Sequence, residues 1–378
     1  MDNYGDDQRI VLTLDAGGTN FRFSAMRARA PVGQPVATPS CPDDLLDCLR
    51  RIGDGFRRVK ESCPEPPAAI SFAFPGPADF PRGIIGDLGN LPCFRGGVAL
   101  GPMLEDQFGI PVFINNDGDL FAYGEAIGGF LPHVNRLLEE AGSPKRFGNL
   151  LGVTLGTGLG GGIVRNGELF LGDNSLGGEL WLLRNKLSPS MNAEEGASKR
   201  AVSSVYAAGA GLSRTGAPEP EEIYRIAIGE RAGDRAAAIE AFRRLGETAG
   251  DALANALTLV DGLAVIGGGL SGAASVFLPA LVAELNSEYA TPEGRRIRRL
   301  TARAFNLDDP AGLAAFVYGD IREIDVPCAA GVRAVKTRTL RYDALPRIGV
   351  GVSRLGTSRA TALGAYVFAV NKLGPPRL

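Results

Sequence analysis

The residues best suited to chemistry lie at positions 115–119, Asn115-Asn116-Asp117-Gly118-Asp119. They end the apolar run Val112-Phe113-Ile114 and precede a helical pattern through Leu120, Tyr123, Glu125 and Ile127. A carboxylate that leaves a strand and opens a helix is held rigidly and faces unpaired backbone N–H groups, which favour its ionised form at neutral pH. That suits a general base. A lone aspartate in this setting more often caps the helix, so Asp117 and Asp119 each carry both readings.

Three glycine-rich turns could receive a partner for such a base. Asp15-Ala16-Gly17-Gly18-Thr19-Asn20 lies between the apolar stretches Ile10–Leu14 and Phe21–Met26, a strand–turn–strand pattern whose bare backbone N–H groups can approach an oxyanion such as phosphate. It is not a Walker loop, because the sequence contains no Gly-Lys pair. Asp15 could hold Mg2+ through water or close an Asx turn, and both readings stay open. Gly156-Thr157-Gly158-Leu159-Gly160-Gly161-Gly162 repeats the design between Leu150–Leu155 and Ile163–Arg165, followed by the hairpin signal Asn166-Gly167. Gly267-Gly268-Gly269, after the apolar run Leu263–Ile266, would admit a nucleotide base and ribose against bare backbone, or is simply a tight strand-to-helix turn. Single glycine runs also serve bulges and close packing. Two matching hairpins, one in each half of the chain, point instead to a pair of phosphate grips facing a shared cleft.

The rest of the chain must position these groups. With 378 residues, 45% hydrophobic and 22% charged, two globular domains of mixed type are expected. A net charge of −2 offers no field for nucleic acid or anionic membrane. The cluster Arg295–Arg299 reads as a solvated helix face. Cys41, Cys48, Cys63, Cys93 and Cys328 form no C-x-x-C pair, and His133 is the single histidine, so free buried thiols are expected, with no disulfide framework or structural zinc. His133 itself reads as an exposed loop residue. No leader pattern precedes Ile10, which fits a cytoplasmic protein. The uncharged stretch Gly262–Ala283 is long enough to span a membrane, but its glycines, Ser271 and Pro279 divide it into strand, turn and helix.

Alternating elements complete the pattern. Leu45, Leu49, Ile52, Phe56 and Val59 mark an amphipathic helix, Ala68–Phe74 a buried strand, and Leu100–Phe108 a helix ended by Gly109. Ile239, Phe242, Leu245, Ala249, Leu253, Ala256 and Val260 form the core face of a long helix. Phe316–Ile324 and Val332–Leu340 look strand-like within the irregular stretch 286–346, and Ile348–Ser353 with a helix from about Ser358 closes the chain. Alternation of this kind predicts an α/β fold with a mainly parallel sheet.

Together, Asp15-Ala-Gly-Gly-Thr, Pro75-Gly-Pro-Ala-Asp79, Asn90-Leu-Pro, Asn116-Asp117 with Gly124-Glu125, Gly156 to Gly162, Gly178-Glu179 and Ile266-Gly-Gly-Gly-Leu-Ser271 occur in the order seen in the ROK family of repressors, open reading frames and sugar kinases. The resemblance covers nearly the whole chain except 286–346, and the opening through Arg22 is also similar to that of hexokinases. It implies an α/β fold of two actin-like (ribonuclease H-like) domains with an interdomain cleft. The boundaries expected are 1–118 and 119–357, with a C-terminal helix of about 358–378 packing on the first domain. It further implies ATP and Mg2+, a hexose substrate, and a homodimer, with neither nucleic acid nor membrane as a partner.

Residue by residue, the resemblance assigns Gly17, Gly18 and Thr19, and Thr157 and Gly158, to the ATP phosphates, with Asp15 near the metal. Gly268 and Gly269 are assigned to the adenosine, and Asn90, Asn116, Asp117, Glu179 and Glu194 to the sugar. The family commonly carries Glu-x-x-His and a cysteine cluster that bind zinc. Here Leu182 stands at the histidine's place and no cysteine follows, so no zinc is expected and the loop must be ordered by packing of residues such as Trp181 and Leu183. Losing that sugar contact should shift preference among hexoses and N-acetylhexosamines. The implied reaction is in-line phosphoryl transfer from ATP with Asp117 as general base. The alternatives are a sugar sensor that keeps the fold without transfer activity, and a repressor, for which the nine residues ahead of Ile10 leave no room.

Overall fold

The computed structural model describes residues 5–16, 20–41, 43–87, 92–327 and 338–375. Contacts divide the chain into two units, Met1–Gly129 with Gly160–Glu179 and Arg354–Leu378, and Phe130–Leu159 with Leu180–Ser353.

In the first unit, Ala30–Pro39, Asn20–Arg27 and Val11–Ala16 form an antiparallel meander. Ala69–Ala73 and Val112–Asn115 then add in parallel beside Val11–Ala16. The hairpin expected around residue 17 is present, with Asp15 opposite Arg22, while Gly17, Gly18 and Thr19 at its tip lie outside the described residues. Asn90 lies outside them as well. The helix Leu45–Ser62 buries Ile52, Phe56 and Val59 under this sheet. Its core is a chain of aromatic rings, Phe23 to Phe56 at 5.1 Å, Phe56 to Phe72 at 5.6 Å and Phe74 to Phe94 at 5.3 Å between centroids. Edge-on and tilted packing of this kind adds to the area each ring buries.

The helix Asp117–Gly128 leaves the strand Val112–Asn115 and packs along the C-terminal helix Thr357–Leu373. A Cβ on Gly124 would fall 1.9 Å from the Ala360 carbonyl oxygen, and one on Gly364 2.0 Å from that of Leu120, so any larger residue would force the helices apart. The fully buried Glu125 adds an anchor, its carboxylate accepting from the Leu355 N–H at 3.2 Å. This packing carries the Asp117 helix into the first unit, so the division by contacts lies beyond the boundary expected at 118/119. The stretch Gly160–Glu179 also belongs to the first unit.

In the second unit, Leu150–Leu155, Leu263–Gly267, Arg347–Val352 and Arg303–Asn306 run parallel in that order. Leu263 to Ile266 are fully buried, as expected for a strand covered on both faces. The long helix Arg235–Val260 buries Phe242, Leu245, Ala249 and Leu253. Ile239, expected on that face, is 43% exposed, because in the first turns the buried side runs through Ala237, Ala238 and Ala241 and turns Ile239 outward.

Several local expectations are corrected. Residues 316–318 end a helix, Pro310–Tyr318, before the strand Ile321–Asp325 begins. Arg296–Arg298 is an exposed strand paired with Glu288–Ala290, and Arg299 turns inward to Asp251 at 3.2 Å. Of the segment 332–340, residues 332–337 lie outside the described residues. His133 lies half-buried in the helix Phe130–Glu140, not in an exposed loop, because Phe130, Leu131, Val134 and Leu138 bury one face of that helix. Cys41, Cys48, Cys63 and Cys93 are free thiols, but only Cys48 is fully buried. Among the described residues no helix is long and apolar enough to cross a membrane.

The loop after Leu182 is held by hydrogen bonds beside the half-buried Trp181 and Leu183. Asn185 is 2% exposed, and its Oδ1 accepts from the N–H groups of Leu187 and Ser188 at 2.9 and 3.2 Å. Ala193 N–H donates to the Leu183 carbonyl, and Lys186 is ion-paired to Glu247 and Glu284 on two helices. Leu182 is 60% exposed and takes no part in a core. Replacing Asn185 with alanine leaves the half-buried Leu187 N–H without its partner and the Ser188 N–H with only the Asn185 carbonyl at 3.3 Å, at a cost of about 1 kcal/mol. Amide exchange across residues 186–192 should then accelerate severalfold. An unchanged exchange profile would show that the loop is held by other contacts.

Candidate active site

Asn116 precedes the first turn of its helix and caps it, its Oδ1 accepting from the Gly118 N–H at 2.8 Å. The capping task thus falls to Asn116 and leaves Asp117 at the first helical position. Asp117 accepts from the same Gly118 N–H at 2.9 Å, and its side chain remains accessible although protein atoms crowd around it. That crowding pushes the Asp117 carboxyl above the usual carboxylate range, against the lowering effect of the backbone N–H donors, and the Asp15 charge pushes the same way. The helix N-terminus was expected to dominate. Desolvation outweighs it.

Asp119, two residues on, has a different environment. It is 2% exposed, its Oδ1 has no partner, and burial raises its carboxyl well above the ordinary range, with the charges of Glu179 and Asp117 adding to the rise. Asp119, a candidate cap by sequence, is instead buried by what covers the helix start. The strand after the second glycine turn begins at Leu159, not at Ile163, so Gly160–Gly162 lie within it. A Cβ on Gly118 would stand 2.6 Å from the Gly161 carbonyl oxygen, and one on Gly162 2.7 Å from the Asp119 Cα. Gly178, at φ +87°, also lies against Gly161 and Gly162, and Glu179 follows it. Bare backbone on three segments therefore gathers Asp117, Asp119 and Glu179, with Asp15 close enough for its charge to act on Asp117.

The second unit gathers another set. The turn Gly156–Gly158 is fastened to Glu194, whose carboxylate accepts from the Leu159 N–H at 3.0 Å and from Arg200 Nη2 at 2.8 Å. A Cβ on Gly158 would meet Glu194 Oε2 at 2.5 Å. Gly268, at φ +85°, packs on Leu155, and Gly269 N–H lies 3.8 Å from the position a Gly156 Cβ would take. Thr157, Gly158, Gly268 and Gly269 therefore share one neighbourhood with Glu194. Lys199 and Arg200 stand beside it, and no motif signalled them in the sequence.

The Asp119 shift has a sign that can be tested. A carboxyl whose folded pKa is raised contributes stability that is full below its unfolded pKa of about 3.9 and is lost as pH rises towards the folded value. Asp119→Asn removes that loss. The thermal midpoint of the variant should match the parent near pH 4 and exceed it by about 2 °C or more at pH 8. A difference that does not grow with pH would overturn the assignment.

The ROK family model matches residues 11–317. The chain is 54% identical to glucokinase from Parabacteroides distasonis, whose crystal structure superposes with a TM-score of 0.86, covering 97% of this chain and 99% of that one. It is 25% identical over 291 residues to glucokinase from Thermotoga maritima, covering 72% of this chain and 85% of the relative. With N-acetyl-D-glucosamine kinase from Vibrio cholerae it shares 28% over 271 residues, covering 68% and 83%. The α/β architecture is accordingly the two-domain actin-like fold, and the chain belongs to the ROK family.

Proposed function

We propose that this chain is an ATP-dependent sugar kinase that transfers the terminal phosphate of ATP to the primary hydroxyl of a hexose or N-acetylhexosamine, with Asp117 as general base. The observation that carries the reading is the division of labour at one helix start. Asn116 caps, Asp119 is buried, and Asp117 alone of the three keeps an accessible carboxylate with backbone donors behind it. The similarity to glucokinases and an N-acetylglucosamine kinase supports the substrate class.

In this mechanism Asp117 accepts the hydroxyl proton as the sugar oxygen attacks the phosphorus, and the upward shift of its carboxyl makes it a better base than an ordinary aspartate. Asn116 and Glu179 are proposed to orient the sugar hydroxyls, as are Asn90 and Glu194, the latter through whatever capacity its bonds to Leu159 and Arg200 leave. Gly17, Gly18 and Thr19 with Thr157 and Gly158 are proposed to hold the phosphates, and Gly268 and Gly269 the adenosine. Asp15 is an accessible hard oxygen donor at a strand end. This fits Mg2+ held through water and the nucleotide, where the ion would offset phosphate charge. The homodimer and the cytoplasmic location remain part of the proposal.

ADP release across a panel of hexoses and N-acetylhexosamines tests the reading and identifies the substrate. Activity with none of them would leave a sugar-binding sensor as the function. Asp117→Asn should lower turnover by at least ~100-fold while sugar affinity stays within about tenfold. Near-normal turnover in that variant would remove Asp117 from the role of base. Because its carboxyl is shifted upward, kcat/KM should fall on acidification at a pH above the ordinary aspartate range, and this limb should be missing from the residual activity of Asp117→Asn.

A further inference from the structure

One cation of the second unit has no task in this mechanism. Lys199 is the first residue of the helix Lys199–Gly209, where the helix dipole disfavours positive charge. Arg200 stands next to it in the same turn, but its charge is met by Glu194 and Glu195 at 2.8 and 2.6 Å. The exposed Lys199 ammonium has no carboxylate within ion-pair distance among the described residues. Ser198, at the N-cap, offers the helix no side-chain hydrogen bond, and its fully buried hydroxyl has no partner. A sequence that breaks a local rule without compensation inside the fold often does so for a ligand.

Two contacts fix where this charge lies. The Lys199 backbone N–H donates to the Gly156 carbonyl at 2.8 Å, which fastens the helix start to the turn Gly156–Gly158. Its side chain reaches the other glycine turn, where a Cβ on Gly269 would lie 3.3 Å from Lys199 Cε and 3.5 Å from Nζ. The ammonium thus stands over the bare backbone of the turn proposed for the adenosine, on a helix start that is fastened to the turn proposed for the phosphates.

We infer that Lys199 is a nucleotide-specificity residue whose ammonium contacts the polyphosphate chain of the bound nucleotide and favours nucleoside di- and triphosphates over the bare nucleoside. The inference rests on the reading that these two glycine turns hold the nucleotide. A lysine acts here as a point charge on phosphate, without the geometric demand of an arginine fork.

Calorimetric titration with ADP and with adenosine tests it on the parent, Lys199→Met and Lys199→Arg. Methionine keeps an apolar stem over Gly269 and removes only the charge. Lys199→Met should weaken ADP about tenfold, the usual scale for one charge-assisted contact, and leave adenosine within about twofold. Lys199→Arg should recover most of the ADP affinity. In turnover, Lys199→Met should raise KM for ATP and leave the KM for sugar unchanged. Equal weakening of ADP and adenosine would make Lys199 merely structural, and unchanged ADP affinity, or a parent that binds no ADP, would also overturn the inference. A split between ADP and adenosine in a protein that phosphorylates no sugar would sink the kinase reading alone. Sugar phosphorylation with ADP affinity indifferent to Lys199 would sink this inference alone.

Discussion

The first unit depends on the contact of bare backbone at Gly118, Gly161, Gly162 and Gly178. A single methyl group at Gly118 or Gly162 would meet main-chain atoms at 2.6 Å, so the approach exists only because these positions lack side chains. What the contact gains is proximity. It lays the Gly160–Gly162 strand and the Gly178-Glu179 corner on the start of the Asp117 helix, where Asp119 is then enclosed beside the accessible Asp117 and the half-buried Glu179. Burying charge in this way is unfavourable, and Asp119 shows the cost in its unpartnered oxygen and raised carboxyl. The Gly124 and Gly364 crossing with the C-terminal helix holds the same helix from its other side.

Within one helical turn, identical side chains acquire different chemistry from their surroundings. Asp117 and Asp119 are separated by one glycine. Asp117 keeps accessible surface and backbone donors, whereas Asp119 is enclosed and has like charges for neighbours. Such a pair separates a group that can exchange a proton with a substrate from one whose protonation tunes the local field. Asn116, by capping the helix, leaves Asp117 without that task.

The second unit uses the same economy of backbone with a different charge balance. Glu194 braces the turn Gly156–Gly158 through the Leu159 N–H, and Arg200 neutralises it, while Lys199 on the same helix start is left to solvent. The loop that precedes Glu194 is held by the buried amide of Asn185 and the Lys186 ion pairs. Polar groups buried with their partners specify one loop conformation, as an apolar side chain such as the exposed Leu182 does not.

By itself the sequence determined the order of the main elements around the candidate site, because apolar periodicity and glycine punctuation are local properties, but it missed the strand Ala30–Pro39 and the helices Phe130–Glu140, Lys199–Gly209 and Pro220–Ala227. The hairpin through Asp15, the strand Val112–Asn115, the helix that follows it and the alternation of strands and helices were all legible. So was the family, through an ordered set of short motifs. Its weaker readings came where local pattern is ambiguous, as at Phe316–Tyr318, where an apolar run suits a helix as well as a strand, and at Gly160–Gly162, where glycines suit a strand under close contact as well as a turn. Only the tertiary structure decided that Asp119 is enclosed while Asp117 is not, that Asn185 braces a loop, and that Lys199 stands over one glycine turn on a helix start fastened to another. Desolvation, partner geometry and the position of an unpaired charge arise from residues distant in the chain, and no window of sequence contains them.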